Sequence, residues 1–359
     1  MRIHELLASM AKFEASDLHL KVDQPPIFRV KGDLVRMKSA PLTDADLEAL
    51  LLPLVTGRNQ GEFDRRGYAD FSVGIDGVGR FRCNVYKQRS SLSAAIRRVK
   101  PKIPGYADLG LPPAIARCAE LEQGLVLIGG ITGSGKSTTI ASVLDDINRR
   151  RRVHIITIED PIEYVFTDDK AIINQRELGL DVATFEDALR SAVREDPDVM
   201  LLGEMRDAET VETALTAAET GHLVFGTIHA SNSASTIGRI LDLFPPAKHE
   251  AMRTAMAFNL RCIMNQKLLR GVDGRMVPAL EIMFITPIMK KLILDGEDNR
   301  IAEALVKDKD SGNEDMNRVL HRLVQERRID QDVALAASAA PEALRMLMRG
   351  ISISDGGIV

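Results

Sequence analysis

The spacing of apolar residues predicts a helix followed by short strands in the first hundred residues. Apolar residues recur every three or four positions through residues 1–16, which is typical of a helix. Thr43, with Asp46 three positions later, has the form of a capping box and predicts a second helix start. Alternating runs bounded by turns predict a hairpin over residues 17–37 and strands at 68–75, 80–88 and 91–99. Residues 1–100 are therefore predicted to form a small α+β domain.

A different pattern begins after a stretch rich in proline and glycine. We predict a linker over residues 101–113, because such a composition is typical of connections between domains. From residue 287 onward only helical spacing remains, so residues 286–359 are predicted to be a C-terminal helical region. Between these two segments, helical patterns alternate with short apolar runs at residues 125–128, 153–158, 199–202 and 223–228. This alternation predicts an α/β domain over residues 114–285, with a parallel sheet covered by helices.

Glycines and one lysine follow the first of these apolar runs. Residues 130–137, GITGSGKS, match the phosphate-loop pattern G-x-x-x-x-G-K-[S/T] at every fixed position, between a strand and a helix. Loop N–H groups and the helix N-terminus favour a phosphate chain, Lys136 is expected to reach its β/γ-phosphates, and Ser137 is expected to bind Mg²⁺. The predicted nucleotide-binding residues are Gly130, Thr132, Gly133, Ser134, Gly135, Lys136, Ser137 and Thr138.

Composition disfavours several other classes of protein. The chain has 359 residues, of which 45% are hydrophobic and 27% charged, as in a globular protein of two or three domains. A net charge of −4, with 4% aromatic residues and no Trp, disfavours nucleic acid as a partner. Three well-separated cysteines indicate neither a zinc site nor a disulfide framework, and they suit a reducing cytosol. No signal peptide or transmembrane segment is predicted, so a membrane process would be served from the cytoplasmic side.

Carboxylates follow two more of the predicted strands. Glu159 and Glu163 could order water near a Mg-triphosphate, although acidic residues are equally typical of a helix start. Gly203-Glu204 follows the strand at residues 199–202, where nucleotide-binding proteins usually place Asp-Glu. Because Gly203 cannot bind the metal, we predict that Ser137 is its only direct protein ligand and that Glu204 acts on Mg²⁺ through water.

Histidines and arginines supply further candidates. His222 and His229 lie at opposite ends of one predicted strand, about 23 Å apart at roughly 3.3 Å per residue, so they cannot share a ligand. His229, at the carboxyl end, is the better candidate for the nucleotide site, although a structural role is commoner for either histidine. Arg80 and Arg97 lie on paired strands of the first domain. Arginines there often face solvent, but arginine also stabilises charge in phosphoryl transfer.

These motifs, in this order, resemble the secretion ATPases of type II secretion and type IV pili. Within that superfamily they most resemble the pilus retraction ATPases of twitching motility, the PilT/PilU group. The resemblance covers nearly the whole chain. It rests on DLHL (17–20), GRFRCNVYKQR (79–89), GITGSGKS (130–137), ITIEDPIEYV (156–165), REDPDVMLLGEMRD (194–207) and TGHLVFGTIHASNSASTIGRILDLFP (220–245).

The resemblance implies a RecA-like P-loop ATPase domain, a PAS-like N-terminal domain and a homohexameric ring that clamps ATP between the two domains. Such a ring works on the cytoplasmic side of the inner membrane, against a platform protein at the pilus base. The resemblance implies that Glu204 is the catalytic carboxylate and that Lys136 holds phosphate. It assigns Glu159 and Glu163 to an acidic motif and His222 and His229 to a histidine motif. The residues Arg80, Arg97 and Arg194 match arginines that reach the nucleotide, some of them from a neighbouring subunit.

Two absences favour retraction over the other functions of the superfamily. Assembly and secretion ATPases usually carry a tetracysteine zinc segment, whereas residues 260–283 hold only Cys262. The N-terminal extension of those enzymes is also missing before DLHL. Residues 285–305 and 340–351 depart from the family pattern, which is consistent with an accessory retraction paralogue. A pilus-assembly or type II secretion ATPase, a weakly hydrolysing scaffold and a DNA translocase remain the alternatives.

Overall fold

The chain divides into two compact units. The computed structural model describes residues 2–100, 102–308 and 311–351. The first unit contains the chain up to Lys102 together with Ile162–Val165, and the second contains Ile103–Pro161 and the chain from Phe166 onward. The division after Lys102 falls within the predicted linker. The short segment Ile162–Val165 was expected in the second domain, but it joins the first unit, where Tyr164 forms a β-bridge with Lys100.

The first unit is a six-stranded antiparallel sheet with helices packed against it. The strand order is β3-β2-β1-β6-β5-β4. The elements are α1 (Ile3–Lys12), β1 (Ala15–Lys21), β2 (Ile27–Val30), β3 (Asp33–Arg36), α2 (Asp44–Leu51), α3 (Arg58–Arg66), β4 (Tyr68–Ile75), β5 (Gly79–Gln88) and β6 (Ser91–Arg98). The predicted helix over 1–16 was too long, because β1 begins at Ala15. Helix α3 was not predicted, since its sequence RNQGEFDRR has no apolar stripe, although Phe63 from it lies in the core.

The second unit is built on a seven-stranded sheet. The strands are β7 (Gly124–Gly129), β8 (His154–Glu159), β9 (Ile172–Glu177), β10 (Val199–Leu202), β11 (Leu223–Ile228), β12 (Leu260–Arg270) and β13 (Met276–Phe284). They lie in the order β13-β12-β7-β11-β10-β8-β9, and every neighbouring pair is parallel except β12 with β13. The four predicted strands form the contiguous centre of this sheet. The prediction missed β9, β12 and β13, so the sheet is mixed and not wholly parallel.

Helices cover both faces of this sheet. Alternating residues of β7 contribute to two cores, with Leu125 and Leu127 in one and Val126 and Ile128 in the other. The helices are α4 (Tyr106–Leu109), α5 (Ala116–Glu120), α6 (Lys136–Arg150), α7 (Phe185–Ala192), α8 (Ala208–Glu219), α9 (Ser233–Leu241), α10 (His249–Asn259), α11 (Pro287–Asp295), α12 (Ile301–Lys307), α13 (Met316–Gln325), α14 (Gln331–Ala337) and α15 (Pro341–Met348). Within the described ranges, no helix has the length and apolar character that a membrane span requires.

The C-terminal helices belong to the same unit as the sheet. Helices α11 and α12 join the core on one face through side chains such as Met289 and Leu305. Helices α13 to α15 pack against Val277 and Ala279 of β13 in a separate cluster. The described residues from Pro287 onward are therefore largely helical, as predicted, but they belong to the second unit and do not form an independent one, and residues 352–359 of the prediction lie outside the described residues.

Candidate nucleotide site

The phosphate loop joins the carboxyl end of β7 to helix α6. Gly130, Gly133 and Gly135 all have positive φ angles, at 150°, 80° and 88°, which residues other than glycine rarely adopt. A Cβ atom on Gly130 would lie 2.5 Å from the Ser134 hydroxyl and 2.6 Å from the Gln266 carbonyl oxygen. The loop is therefore closely packed on its inner side, and its glycines permit both the turn and the contacts.

Two polar side chains of the loop are positioned to meet a ligand. The Lys136 ammonium donates to the carbonyl oxygens of Gly130 (2.7 Å) and Ile131 (3.1 Å). Burial lowers the pKa of Lys136, while the negative charge of Glu204 acts in the opposite direction. The Ser134 hydroxyl is buried and has no hydrogen-bond partner among the described residues. A buried hydroxyl without a partner carries a desolvation cost that a phosphate oxygen would remove.

Glu204 lies just beyond the end of β10 and is held at both carboxylate oxygens. Oε1 is 2.9 Å from His229 Nε2, and Oε2 accepts a hydrogen bond from Arg206 at 2.5 Å. The hydrogen bond from Arg206 lowers the pKa of Glu204, and the charge of Lys136 also favours the ionised form. The structure thus brings together three residues that the sequence singled out, Lys136, Glu204 and His229, at the carboxyl edge of the sheet.

Gly203 lies against the backbone at the end of β8, so a side chain there would fit only if that backbone shifted. Its N–H donates to the Ile158 carbonyl at 2.8 Å. A Cβ atom there would lie 3.1 Å from the same carbonyl oxygen and 3.2 Å from the Cα of Glu159. The glycine that replaces the usual aspartate is therefore explained by the close approach of the ends of β8 and β10.

Glu159 and Glu163 fall in different units. Glu159 ends β8 and is mostly buried, and its Oε1 accepts from the Thr157 hydroxyl (2.7 Å) and the Gln175 amide (3.2 Å). Glu163 is exposed in the segment Ile162–Val165 of the first unit. The structure places Glu159 at the same edge of the sheet as Glu204, and it places Glu163 outside that unit.

Two candidates lie near the amino ends of the parallel strands, opposite the carboxyl ends where the phosphate loop lies. His222 precedes β11, and its Nδ1 is 2.9 Å from the Ala217 carbonyl oxygen. Arg194 is exposed in the connection between α7 and the amino end of β10. We expected both near the nucleotide, but within one chain neither reaches the loop, because the length of a strand separates the amino ends from the carboxyl ends.

Arg80 and Arg97 belong to the first unit. The Arg97 Nε donates to Asp17 Oδ1 at 2.8 Å, across the pairing of β6 with β1. Burial opposes ionisation of Asp17, but the hydrogen bonds from Arg97 and Ser16 outweigh it and lower the pKa of Asp17. Arg80 is half-buried at the start of β5. The side chain of Arg97 is thus oriented by a specific carboxylate while 69% of it stays exposed.

Sequence reasoning missed two kinds of residue at this site. Arg206, which pairs with Glu204, lies in a quoted motif but received no role. Asn265 and Gln266 are consecutive buried amides in β12, a strand that was not predicted. Two neighbouring amides inside the apolar run of residues 263–269, IMNQKLL, were a usable signal, because buried polar groups require partners.

Comparisons with known proteins agree with this architecture. A family model described as type II/IV secretion system protein matches residues 80–328. The chain is 41% identical to the type IV pilus retraction ATPase PilT of Pseudomonas aeruginosa, over 95% of this chain and 99% of that protein. It is 33% identical to the type IV pilus ATPase PilU of the same species, over 99% of this chain and 93% of that protein. A crystal structure of the pilus retraction motor PilT with bound ADP aligns at a TM-score of 0.88 and 42% identity, covering 95% of this chain and 98% of that one.

The chain therefore belongs to the type II/IV secretion system protein family. Its resemblance to the retraction ATPases is confirmed over almost its full length. The predicted α/β fold class, with an N-terminal domain and a C-terminal helical region, is confirmed as well.

Proposed function

We propose that the chain is an ATP-hydrolysing motor that powers retraction of a type IV pilus, and hence twitching motility. One observation carries the proposal: an intact phosphate loop faces a carboxylate, Glu204, that is held ionised by Arg206 and His229. The 41% identity to PilT then favours retraction as the use of that chemistry. The identity to the type IV pilus ATPase PilU is lower, at 33%, so a PilT-like role is favoured over a PilU-like one.

Glu204 acts by orienting water in this proposal. Its lowered pKa keeps it ionised at neutral pH, so it can accept a hydrogen bond from the attacking water. His229 and Arg206 fix the direction of the carboxylate. Lys136 leaves the loop carbonyls to meet the β/γ-phosphates, where its charge stabilises the charge that develops on phosphoryl transfer.

The residues present fit Mg²⁺ bound mainly by phosphates and water. No cluster of three or more His, Cys, Asp or Glu residues suited to a metal occurs in the part of the chain that the structure describes. Ser137 would supply a hydroxyl ligand, and Glu204 would act through water. Mg²⁺ keeps several waters when it binds with a nucleotide, so one protein oxygen is sufficient. When bound, the ion supplies charge neutralisation between the phosphates.

The proposed working form is a homohexameric ring at the cytoplasmic side of the inner membrane. In such a ring Arg80 and Arg97 of the first unit, and the exposed Arg194, reach a nucleotide held by a neighbouring subunit. His222, far from its own phosphate loop, is likewise assigned to a neighbour's site, and Glu163 is assigned to the acidic motif that orders water near the nucleotide. The partner is a platform protein at the pilus base, on which the ring performs work as ATP and ADP favour different conformations.

The test is a deletion strain complemented with wild type, Glu204→Gln or Glu48→Gln. Glu48 is an exposed carboxylate on α2 and is the matched control. We expect abundant pili without twitching in the deletion, rescue by wild type and Glu48→Gln, and no rescue by Glu204→Gln. Purified Glu204→Gln should lose about 100-fold in kcat.

Other outcomes would identify the alternatives. Loss of pili in the deletion strain would make the protein an assembly ATPase. Normal pili and motility would leave an accessory, secretion or scaffold role. Salt-dependent binding of DNA by the purified protein would support a translocase instead.

A further inference from the structure

Gln266 connects strand β12 of the second unit's sheet to the phosphate loop. It lies in β12, where its neighbour Asn265 pairs with Gly129, the last residue of β7 before the loop. Only 3% of its surface is exposed. Its amide nitrogen donates to the Ser134 carbonyl at 2.8 Å, and its amide oxygen accepts from the Thr139 hydroxyl at 2.7 Å. One side chain thus joins the middle of the loop to the first turn of α6.

Two glycines of the loop lie close to Gln266, one to its side chain and one to its backbone. A Cβ atom on Gly135 would lie 2.8 Å from the side-chain amide nitrogen of Gln266. A Cβ atom on Gly130 would lie 2.6 Å from the backbone carbonyl oxygen of Gln266. The loop therefore contacts Gln266 at its beginning, at Ser134 and at its end. The hydrogen bond to the Ser134 carbonyl also fixes the peptide unit beside the buried Ser134 hydroxyl, which has no hydrogen-bond partner among the described residues.

We infer that Gln266 is a positioning residue that holds the phosphate loop in its nucleotide-binding shape through Ser134 and Thr139. Gln266 does not touch the reacting atoms. Its amide sets the direction of the loop N–H groups before nucleotide arrives, so that binding does not have to order them. The inference rests on the proposed nucleotide site, but it does not depend on the motor activity or on pili.

Loss of the amide should weaken binding more than it slows the chemical step. Gln266→Met keeps a side chain of similar length and removes both hydrogen bonds, leaving the Ser134 carbonyl without this donor. The loop cradles phosphates in both ATP and ADP, so affinity for both should fall. We expect the Kd for Mg-ADP and the KM for ATP to rise about tenfold, with kcat at saturating ATP within about threefold of wild type.

Thr139 provides a second, milder test. Thr139→Val removes the hydroxyl that holds the Gln266 amide oxygen, whereas Thr139→Ser retains it. We expect Thr139→Val to raise the Kd for Mg-ADP by about threefold and Thr139→Ser to bind as wild type does. Combined with Gln266→Met, Thr139→Val should add little, because both changes act through the same side chain.

Asn313 is the matched control for losing a buried amide. It is 4% exposed, accepts from the Phe284 N–H and donates to Asp308, away from the loop. Asn313→Leu should lower the free energy of unfolding without changing nucleotide affinity. Binding is measured on the purified full chain by fluorescence titration with a labelled ADP, beside urea unfolding of each variant.

Two results would overturn the inference. The first is that Gln266→Met has the wild-type Kd for Mg-ADP and differs only in a lower free energy of unfolding, as Asn313→Leu does. The other applies if Gln266→Met fails to fold: equal affinities of Thr139→Val and Thr139→Ser would then contradict it. A wild-type protein that binds ADP but neither hydrolyses ATP nor drives retraction would refute the proposed function and leave this inference standing.

Discussion

Gly203 illustrates how the packing of one residue controls the position of its neighbour Glu204. Nucleotide-binding proteins usually place aspartate at this position, where its carboxylate would add a ligand for the metal. The structure predicts no such gain, because a side chain at this position meets the backbone of Ile158 and Glu159 at 3.1–3.2 Å. Gly203→Asp should push β8 and β10 apart and move Glu204. We expect a loss of about 1–3 kcal/mol in the free energy of unfolding and at least about tenfold in kcat.

The prediction is checked by steady-state ATPase assays and urea unfolding of Gly203→Asp and Gly203→Ala. Alanine tests the steric part alone, since it adds only the Cβ atom. Activity equal to or above wild type in Gly203→Asp would show that the space can open and that our explanation of the glycine is wrong.

Glu281 gives a prediction about pH at the same scale. Its Oε1 accepts from the Ser233 N–H (2.7 Å) and hydroxyl (2.8 Å), and its side chain is almost fully buried. Burial raises the pKa of Glu281 above 4.5, and the charge of Asp315 adds to the effect. A raised folded-state pKa means that the ionised carboxylate destabilises the fold, increasingly as the pH rises from 4.5 through the folded-state value.

Glu281→Gln should therefore stabilise the protein at neutral pH by about 1 kcal/mol, because an oxygen acceptor remains and the charge is removed. The gain should shrink as the pH falls toward the ordinary value of a glutamate. Urea unfolding across a pH series measures it, with Glu48→Gln as the control for losing one exposed charge. A difference that does not change with pH would contradict the assignment to Glu281.

At the scale of elements, a bidentate ion pair ties α10 to the turn between α11 and α12. Arg253 donates to both carboxylate oxygens of Asp298 at 2.7 and 2.8 Å and to the Ile293 carbonyl at 3.0 Å. The hydrogen bonds that Arg253 donates to Asp298 raise the pKa of Arg253 despite partial burial. The side chains are 19% and 21% exposed, so solvent screens this pair less than a surface pair.

Asp298→Ala should lower the free energy of unfolding by about 2 kcal/mol, because Arg253 keeps its charge and loses its carboxylate. Glu297→Ala breaks a neighbouring pair with Arg300 whose side chains are 42% and 60% exposed. That change should cost less than about 0.5 kcal/mol. Equal decreases in the free energy of unfolding of the two variants, measured by chemical denaturation, would show that the Arg253–Asp298 pair stabilises the fold no more than an exposed pair.

The same scale shows which elements could be predicted from sequence. Strands β7, β8, β10 and β11 are continuous apolar runs that end in polar motifs, and all four were predicted. Strand β9 has the mixed sequence IINQRE at the sheet edge, where one face meets solvent and the apolar signal is weak. Strand β12 follows α10 without a single intervening residue, so no turn signal marks its start.

For the whole molecule, motifs named the candidate residues for chemistry but did not decide which of them the fold brings together. Lys136, Glu204 and His229 follow neighbouring parallel strands, so topology alone places them together. Arg194 and His222 have equally specific motifs, yet they lie near the amino ends of the same parallel strands. Gln266 has no motif, because its role depends on a strand distant in sequence that pairs with β7. The local sequence pattern does not predict which distant strands pair with each other.

The proposed ring makes a prediction that a single subunit cannot satisfy. Lys136→Ala and Arg97→Ala proteins should each be nearly inactive, because each site lacks one required charge. If Arg97 acts on a neighbour's nucleotide, an equal mixture reassembled into rings regains sites in which an intact Lys136 meets an intact Arg97. Random assembly makes roughly one quarter of the sites complete, so we expect about that fraction of wild-type ATPase activity. A mixture of Lys136→Ala with Glu204→Gln should regain nothing, since both residues lie on the same subunit's sheet. Inactive Arg97→Ala protein that gains nothing from mixing would place Arg97 at its own chain's site and refute the shared site.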